Sequence, residues 1–175
     1  SFKIYGVIGN PVYKSMGYLI HNRAFKEIGS NDIYIPFLVD NVEKFFKGFS
    51  PYLEGLSVTM PFKEDIMAMM DEIDEMATKI GAVNTVVREG KGWKGYNTDC
   101  MGALKAIEKH VDLKNKNVLI IGAGGTAKAI GQGVYEKGAK ITVTYNRDKE
   151  KGLKLGRELE AKVVSIQEID NEEID

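Results

Sequence analysis

The sequence of 175 residues predicts an α/β fold in two parts. The first is an N-terminal α/β domain with a mainly parallel sheet, and the second is a truncated (first-half) Rossmann dinucleotide-binding domain. Two observations support this prediction. Short β-branched runs alternate with stretches of helical spacing along the first hundred residues, which is the order typical of sheets covered by helices. A glycine-rich turn then follows the apolar run 117–121 directly.

The first strand is predicted at residues 3–8, and apolar residues at helical spacing between 19 and 28 predict a helix closed by Gly29. Residues 33–39 are the next strand, and Pro36 within it indicates an edge position or a bulge, because proline cannot donate to a sheet ladder. The remaining elements of this half are, in order, a helix capped by Asp40, a strand at 56–60, helical pieces at 63–70 and 72–80, a β-hairpin of 85–88 with 93–96, and a helix at 99–110.

The glycine-rich turn has the pattern G-x-G-x-x-A, formed by Gly122, Ala123, Gly124, Gly125, Thr126 and Ala127. Gly122 permits a tight turn, Gly124 lets the backbone approach a pyrophosphate, and the small Ala127 lets helix and strand pack closely. The amide groups at the start of the following helix would face the anion. Glycine turns between a strand and a helix often bind nothing, but a second β-branched run at 141–145 favours the nucleotide interpretation.

The end of that second run indicates which nucleotide would bind. A chain that binds the free ribose of NAD usually carries an acidic residue about 20 residues past the glycines. Here the run ends in Asn146 and Arg147, with Lys149 and Lys151 close behind. An arginine can stack on adenine and pair with a 2′-phosphate, so NADP is favoured over NAD. The alternative is an ordinary solvated helix start, with Asp148 as its cap.

Composition excludes several classes of protein. The 24 basic and 25 acidic residues nearly cancel, which argues against a nucleic-acid or anionic-membrane partner. No apolar run approaches the ~20 residues that span a bilayer. The single Cys100 excludes an internal disulfide and, with only two histidines, makes a structural zinc site improbable. The expectation is a cytoplasmic protein without a metal.

Polar residues cluster at the ends of the predicted elements of the first half, where small-ligand sites of α/β proteins lie. Taken singly, these residues also have ordinary structural explanations. Ser15 can be a helix cap, Lys63 a solvated lysine, Asn84 a turn former and Asp99 the N-cap of the next helix. These candidates are Ser15, Thr59, Lys63, Asn84 and Asp99.

Taken together these segments resemble shikimate dehydrogenase, over essentially the whole chain. The motifs that carry the resemblance are Ile8-Gly9-Asn10-Pro11 with Ser15 and Ile20-His21-Asn22, Ser57-Val58-Thr59-Met60-Pro61-Phe62-Lys63-Glu64, Gly81-Ala82-Val83-Asn84-Thr85, Gly95-Tyr96-Asn97-Thr98-Asp99 and Ile121-Gly122-Ala123-Gly124-Gly125.

The resemblance implies a substrate-binding catalytic domain at 1–101 and an incomplete NADP-binding Rossmann domain at 102–175. It implies Lys63 and Asp99 as the catalytic pair, and Ser15, Thr59 and Asn84 as residues that, with that pair, hold the substrate. It implies Asn146, Arg147 and Lys151 beside the glycine turn in cofactor binding. The implied reaction is the reversible, NADP-dependent reduction of 3-dehydroshikimate to shikimate in aromatic amino-acid biosynthesis.

The chain departs from the family pattern at two positions of the first half. The usual Ser-x-Ser is Ser15-Met16-Gly17, and the strand ahead of Lys63 carries Ser57 where asparagine is usual. Both variants are similar to those of plant-type bifunctional dehydroquinate dehydratase–shikimate dehydrogenases and of quinate dehydrogenases. With the abrupt start at Ser1, they suggest an upstream dehydratase domain in the parent protein. The alternatives are therefore a quinate or aminoshikimate dehydrogenase.

The Rossmann part also falls short of the family pattern. Only three strand candidates follow residue 116. The family's C-terminal helices, one of which returns a substrate-binding glutamine, are expected to be missing. A further alternative is therefore an inactive ligand-binding fragment.

Overall fold

The computed structural model describes residues 2–145 and 148–175 and confirms the α/β class. The chain divides into two compact units, Ser1–Asn97 and Thr98–Asp175. The sequence placed the division after residue 101, whereas the structure assigns the whole helix that begins at Thr98 to the second unit.

The first unit is built on a six-stranded sheet with the order β2-β1-β3-β5-β6-β4. β1 is parallel to both β2 and β3, β5 is antiparallel to β3 and β6, and β4 is parallel to β6. Pro36 therefore lies on an edge strand, as predicted. The strands are β1 (Ile4–Gly9), β2 (Ile33–Leu38), β3 (Gly55–Val58), β4 (Glu72–Ile73), β5 (Thr85–Glu89) and β6 (Gly92–Tyr96).

The helices of this unit are α1 (Gly17–Glu27), α2 (Val42–Phe49) and α3 (Glu75–Ile80). The prediction of Asp40 as a cap is wrong: the Asn41 side chain accepts from the Lys44 N–H at 2.8 Å. Asp40 instead accepts from the Asn10 side-chain amide at 3.0 Å. An N-cap side chain must reach an amide two or three residues ahead, which Asn41 does for a helix that begins at Val42.

Two predicted helical pieces also differ in detail. Residues 63–70 contain a 3₁₀ helix, Asp65–Met69. Residues 72–80 are divided, because Glu72–Ile73 pair with β6 as a short strand before α3 begins. The division falls at Asp74, whose carboxylate accepts from the Met76 N–H at 3.0 Å and so caps α3.

The sheet of the first unit buries both faces. Val7 and Ile8 are adjacent on β1 and point to opposite sides, yet both are buried. Ile8 lies in the larger core, with Val58, Ile66 and Val83 among its members. Val7 lies in a smaller cluster with Val12 and Tyr34, against which Tyr5, Tyr18 and Phe25 pack.

The second unit is a parallel three-stranded sheet with the order β7-β8-β9 and alternating helices. Its elements are α4 (Thr98–Ile107), β7 (Asn117–Ile121), α5 (Gly125–Glu136), β8 (Lys140–Tyr145), α6 (Lys149–Glu158) and β9 (Lys162–Ser165). Asp148 caps α6, accepting from the Lys151 N–H at 3.0 Å, as the sequence suggested. Among the described residues, no helix has the length and apolar character that crossing a bilayer requires.

Candidate functional site

The carboxyl ends of β1 and β3 lie at the same edge of the first sheet, because the two strands are parallel and adjacent. The Thr59 N–H donates to the Ile8 carbonyl at 2.9 Å, and the Asn10 N–H donates to the Met60 carbonyl at 3.0 Å. Gly9 allows this close approach, since a Cβ there would collide with the Thr59 methyl group. Thr59, half-buried, is thereby fixed at this edge.

Asn84 directly precedes β5. Because β5 runs antiparallel to β3, Asn84 lies at the same edge of the sheet as the carboxyl end of β3. The Val58 N–H donates to the Asn84 carbonyl at 2.8 Å, and the Asn84 N–H donates to the Tyr96 carbonyl at 2.9 Å. The Asn84 side chain is buried, and its Oδ1 accepts from the Thr85 hydroxyl at 2.8 Å. This hydrogen bond orients the amide, with its NH₂ group directed away from Thr85.

Lys63 is held beside Asn84 through the backbone. The Val83 N–H donates to the Lys63 carbonyl at 2.8 Å. Phe62 and Ile66, on either side of Lys63, are buried in the larger core, while Lys63 itself is half-buried. The segment is thus anchored by its apolar residues, and the structure brings Lys63, Thr59 and Asn84 together around one strand end.

Ser15 lies in the turn between β1 and α1, where its Oγ accepts from the Gly17 N–H at 3.3 Å. This is a local turn contact of the kind that serine often makes. A Cβ built on Gly17 would lie 3.3 Å from Ser15 Oγ and 3.5 Å from the Tyr34 hydroxyl. Position 17 therefore faces both hydroxyl groups.

Tyr34 was not singled out by the sequence, although its partners His21, Asn22 and Ser57 lie in the motifs that carry the resemblance. The buried Tyr34 hydroxyl donates to Ser57 Oγ at 2.6 Å, and its ring stacks on His21 at 4.3 Å between centroids. The Asn22 side chain bonds both the N–H and the carbonyl of Tyr34, each at 2.8 Å. His21 is exposed, and its ring packs on that of Tyr34. Burial raises the pKa of the Tyr34 phenol above its ordinary value.

Asp99 belongs to the second unit, in the first turn of α4. Because α4 begins at Thr98, Asp99 stands inside the helix rather than at the N-cap position. Asn97, the last residue of the first unit, is buried and donates from its amide to the Ala82 carbonyl at 2.9 Å.

The glycine-rich turn has the backbone geometry of an anion site. Gly122 adopts φ +100°, a conformation that residues with a side chain rarely take, and its N–H donates to the Thr144 carbonyl at 2.8 Å. Gly124 is the N-cap of the 12-residue helix α5, and no side chain of residues 2–145 or 148–175 caps its first turn. A Cβ on Gly124 or Gly125 would meet no described atom within 4 Å. Open amide groups at a helix start fit a pyrophosphate.

Two predicted cofactor residues, Asn146 and Arg147, lie outside the described residues. Lys151 is described: its ammonium lies 3.8 Å from the Asp148 carboxylate, and its side chain is 72% exposed. Ala123 and Ala127 are half-buried, whereas Thr126 is exposed at the start of α5. The turn thus presents an open backbone with one small polar side chain.

Comparison with known protein families gives two matches. Residues 7–86 match the shikimate dehydrogenase substrate binding domain, and residues 104–174 match the shikimate / quinate 5-dehydrogenase family. Together the two matches cover most of the chain.

Individual relatives agree with these matches. The chain is 40% identical to the chloroplastic bifunctional 3-dehydroquinate dehydratase/shikimate dehydrogenase of Arabidopsis thaliana, covering 97% of this chain and 31% of that protein. The crystal structure of shikimate dehydrogenase from Aquifex aeolicus aligns with a TM-score of 0.90 at 37% identity, over 97% of this chain and 66% of that one. The shikimate 5-dehydrogenase of Thermus thermophilus, in complex with NADP(H) and shikimate, aligns with a TM-score of 0.86 at 28% identity, over 97% and 65%. The chain spans less than two thirds of each of these proteins.

Proposed function

Because the chain belongs to the shikimate dehydrogenase family, we propose that it carries the substrate site and part of the cofactor site of an NADP-dependent shikimate dehydrogenase. The proposed reaction interconverts 3-dehydroshikimate and shikimate. The observation that carries the proposal is the position of Thr59, Lys63 and Asn84 around one strand end. There the Val58 N–H donates to the Asn84 carbonyl and the Val83 N–H donates to the Lys63 carbonyl, each at 2.8 Å.

The chemistry of the reaction requires what these side chains provide. Shikimate is a cyclohexene carboxylate with three hydroxyl groups, so hydroxyl and amide side chains suit it. We assign Ser15 and Thr59 to its carboxylate and hydroxyls, and the NH₂ group of Asn84 to a hydroxyl. Asn84 suits that role because its amide oxygen is already held by Thr85.

Lys63 is assigned the proton transfer. When the ketone is reduced, negative charge develops on its oxygen, and an ammonium group beside that oxygen both stabilises the charge and donates the proton. In the oxidising direction the same lysine, unprotonated, accepts the hydroxyl proton. Asp99, the second residue of the implied catalytic pair, is proposed to share in the proton relay.

NADP is proposed as the cofactor, and when bound it supplies or accepts the hydride. We assign the pyrophosphate to the backbone of Gly122–Ala127 and the 2′-phosphate to Arg147, with Asn146 and Lys151 beside it. The open space at Gly124 and Gly125 supports the first assignment. The charge of Arg147 supports the second.

Quinate is the second candidate substrate, and one observation favours it. Quinate carries an additional hydroxyl on the carbon that bears the carboxylate. The Ser15 and Tyr34 hydroxyls, 3.3 and 3.5 Å from the point where a Cβ on Gly17 would stand, are polar groups that suit such a hydroxyl. An aminoshikimate dehydrogenase remains a further proposal of the same class. A catalytically inactive binding protein is the alternative outside it.

The test is turnover by the purified full-length gene product. Shikimate and quinate are each offered with NADP⁺ and with NAD⁺, and formation of the reduced nicotinamide is followed by its absorbance. The proposal requires the highest kcat/KM with shikimate and NADP⁺. A higher value with quinate would assign the enzyme to that substrate instead. Binding of shikimate without turnover by any pair would identify a binding protein.

Two further assignments are proposals of the same kind. The free thiol of Cys100 suits a reducing compartment, for which we propose the cytoplasm. A dehydroquinate dehydratase domain in the same gene product is supported by the bifunctional name of the Arabidopsis relative. The mass of the full-length gene product tests the second assignment.

A further inference from the structure

The two positions at which the first unit departs from its family pattern, Gly17 and Ser57, are linked by one side chain, that of Tyr34. The phenol donates to Ser57 Oγ at 2.6 Å. The same hydroxyl lies 3.5 Å from the point where a Cβ on Gly17 would stand. A tyrosine on β2 thus connects a residue on β3 with the start of α1.

The sheet register explains how Tyr34 reaches Ser57. β1 lies between β2 and β3, with Tyr34 aligned to Tyr5 and Ser57 aligned to Val7. Tyr5 and Val7 are two residues apart and share a face, so Tyr34 and Ser57 lie on that same face. The long tyrosine side chain spans the intervening strand, which a shorter residue on β2 would not do.

Tyr34 is held in place by hydrogen bonds and ring stacking in addition to its burial. Asn22 bonds both backbone polar groups of Tyr34, and the His21 ring stacks on its ring with 19° between the planes. The phenol is protonated at neutral pH, and burial raises its pKa further. Asn22 and His21 therefore hold the backbone and ring of Tyr34 in place, with its hydroxyl donating to Ser57.

We propose that Tyr34 is a positioning residue for substrate binding: it fixes the Ser57 hydroxyl as a donor to the substrate carboxylate. This inference rests on the proposed function. A hydroxyl that accepts one hydrogen bond still has its own proton to donate, and a chain of two such bonds strengthens the second. Ser57 is half-buried, and its oxygen accepts a hydrogen bond from Tyr34 just as the oxygen of Ser15 accepts one from the Gly17 N–H. Ser15 and Ser57 are then the two hydroxyl donors to the carboxylate. Residue 17 cannot be the second donor, because it is glycine.

The experiment measures kcat, KM for shikimate with saturating NADP⁺, and thermal stability in the full-length gene product. Tyr34→Phe keeps the ring on His21 and removes only the hydroxyl. We expect its KM to rise about threefold to tenfold, with kcat within about twofold of the parent, since the bond acts in binding rather than in proton transfer. Ser57→Ala should raise KM by about tenfold or more, as loss of a hydrogen bond to a charged group does.

The double variant Tyr34→Phe/Ser57→Ala separates a joint action from two independent ones. If Tyr34 acts through Ser57, the double variant has the KM of Ser57→Ala, whereas independent roles would multiply the two effects and overturn the proposal. Tyr5→Phe is the matched control, because it removes a phenol hydroxyl from the same cluster, and its KM should equal that of the parent.

Other outcomes are equally decisive. An unchanged KM in Tyr34→Phe overturns the proposal, as does an unchanged KM in Ser57→Ala if Tyr34→Phe does not fold. A fall in thermal stability without a rise in KM would show that Tyr34 serves only the fold. Failure of the parent protein to oxidise shikimate would overturn the proposed function itself, a result distinct from all of these.

Discussion

The Val83 N–H donates a hydrogen bond of 2.8 Å to the Lys63 carbonyl, and this bond joins two segments that are 20 residues apart in the sequence. Val83 is fully buried, and the next residue, Asn84, bonds to Val58 and Tyr96 through its backbone. The proposed proton donor is therefore tied to the same strand ends, those of β3, β5 and β6, as the proposed substrate residue Asn84.

Gly17→Ser should narrow the substrate range. The new Cβ would lie 3.3 Å from Ser15 Oγ, which requires a shift of a few tenths of an ångström, and the added hydroxyl would occupy the space proposed for the extra hydroxyl of quinate. We expect KM for shikimate to fall and the quinate-to-shikimate ratio of kcat/KM to fall about tenfold, the value of one hydrogen bond to a charged group. Kinetics with both acids measure this ratio.

Gly17→Ala is the control for this substitution, because it fills the same space without adding a donor. It should weaken quinate turnover without lowering KM for shikimate. A ratio that stays constant in both variants would mean that position 17 does not contact the substrate.

Arg147→Ala should change cofactor preference. Loss of a charge-assisted pair with the 2′-phosphate is worth about 2 kcal/mol, or roughly a 30-fold rise in the Kd for NADP, whereas NAD has no such phosphate to lose. Calorimetric titration with each cofactor measures both constants. Lys162→Ala is the control, since that lysine has no assigned role in cofactor binding and forms a 2.6 Å ion pair with Glu172, and it should leave both constants nearly unchanged. Equal weakening of both cofactors by Arg147→Ala would indicate stacking on adenine alone.

Two glycines on neighbouring helices should respond oppositely to alanine. A Cβ on Gly133 in α5 would lie 2.7 Å from Leu104 and would also collide with Cys100, so Gly133→Ala should destabilise the protein by about 1–3 kcal/mol through overpacking. Gly102 in α4 has open space around its Cβ position among the described atoms, so Gly102→Ala should stabilise the protein by about 0.5–1 kcal/mol. Chemical denaturation of the two variants measures both changes. Stabilisation by Gly133→Ala would contradict the observed packing of α4 on α5.

Much of the fold could be predicted because its signals are local. The β-branched run 117–121 and the glycine turn after it specify a strand and a helix start without reference to distant residues. The hairpin of β5 and β6 follows from two short strands separated by Gly90 and Lys91. The N-cap of α2 could not be predicted in the same way, because Asp40 and Asn41 are both good N-cap residues and only the helix boundary distinguishes them.

The link between Tyr34 and Ser57 could not be predicted, because it depends on register. Tyr34 reads as one residue of an apolar strand, and its contact with Ser57 requires that β1 lie between β2 and β3 with a given alignment. Single-sequence patterns do not contain that alignment. The strand-end positions of Thr59 and Asn84 were easier to predict, since polar residues that directly follow or precede apolar runs mark sheet edges.

The kcat of Lys63→Ala in the full-length gene product tests the central claim most directly. With shikimate and NADP⁺ saturating, we predict a fall in kcat of about a hundredfold or more with KM nearly unchanged, because the group that accepts the hydroxyl proton in this direction acts mainly in the transition state. Lys79→Ala is the matched control, since that lysine forms a 3.1 Å surface ion pair with Glu75 in α3, and it should keep the parent kcat. A Lys63→Ala variant with the kcat of the parent would remove Lys63 from the mechanism and contradict the account.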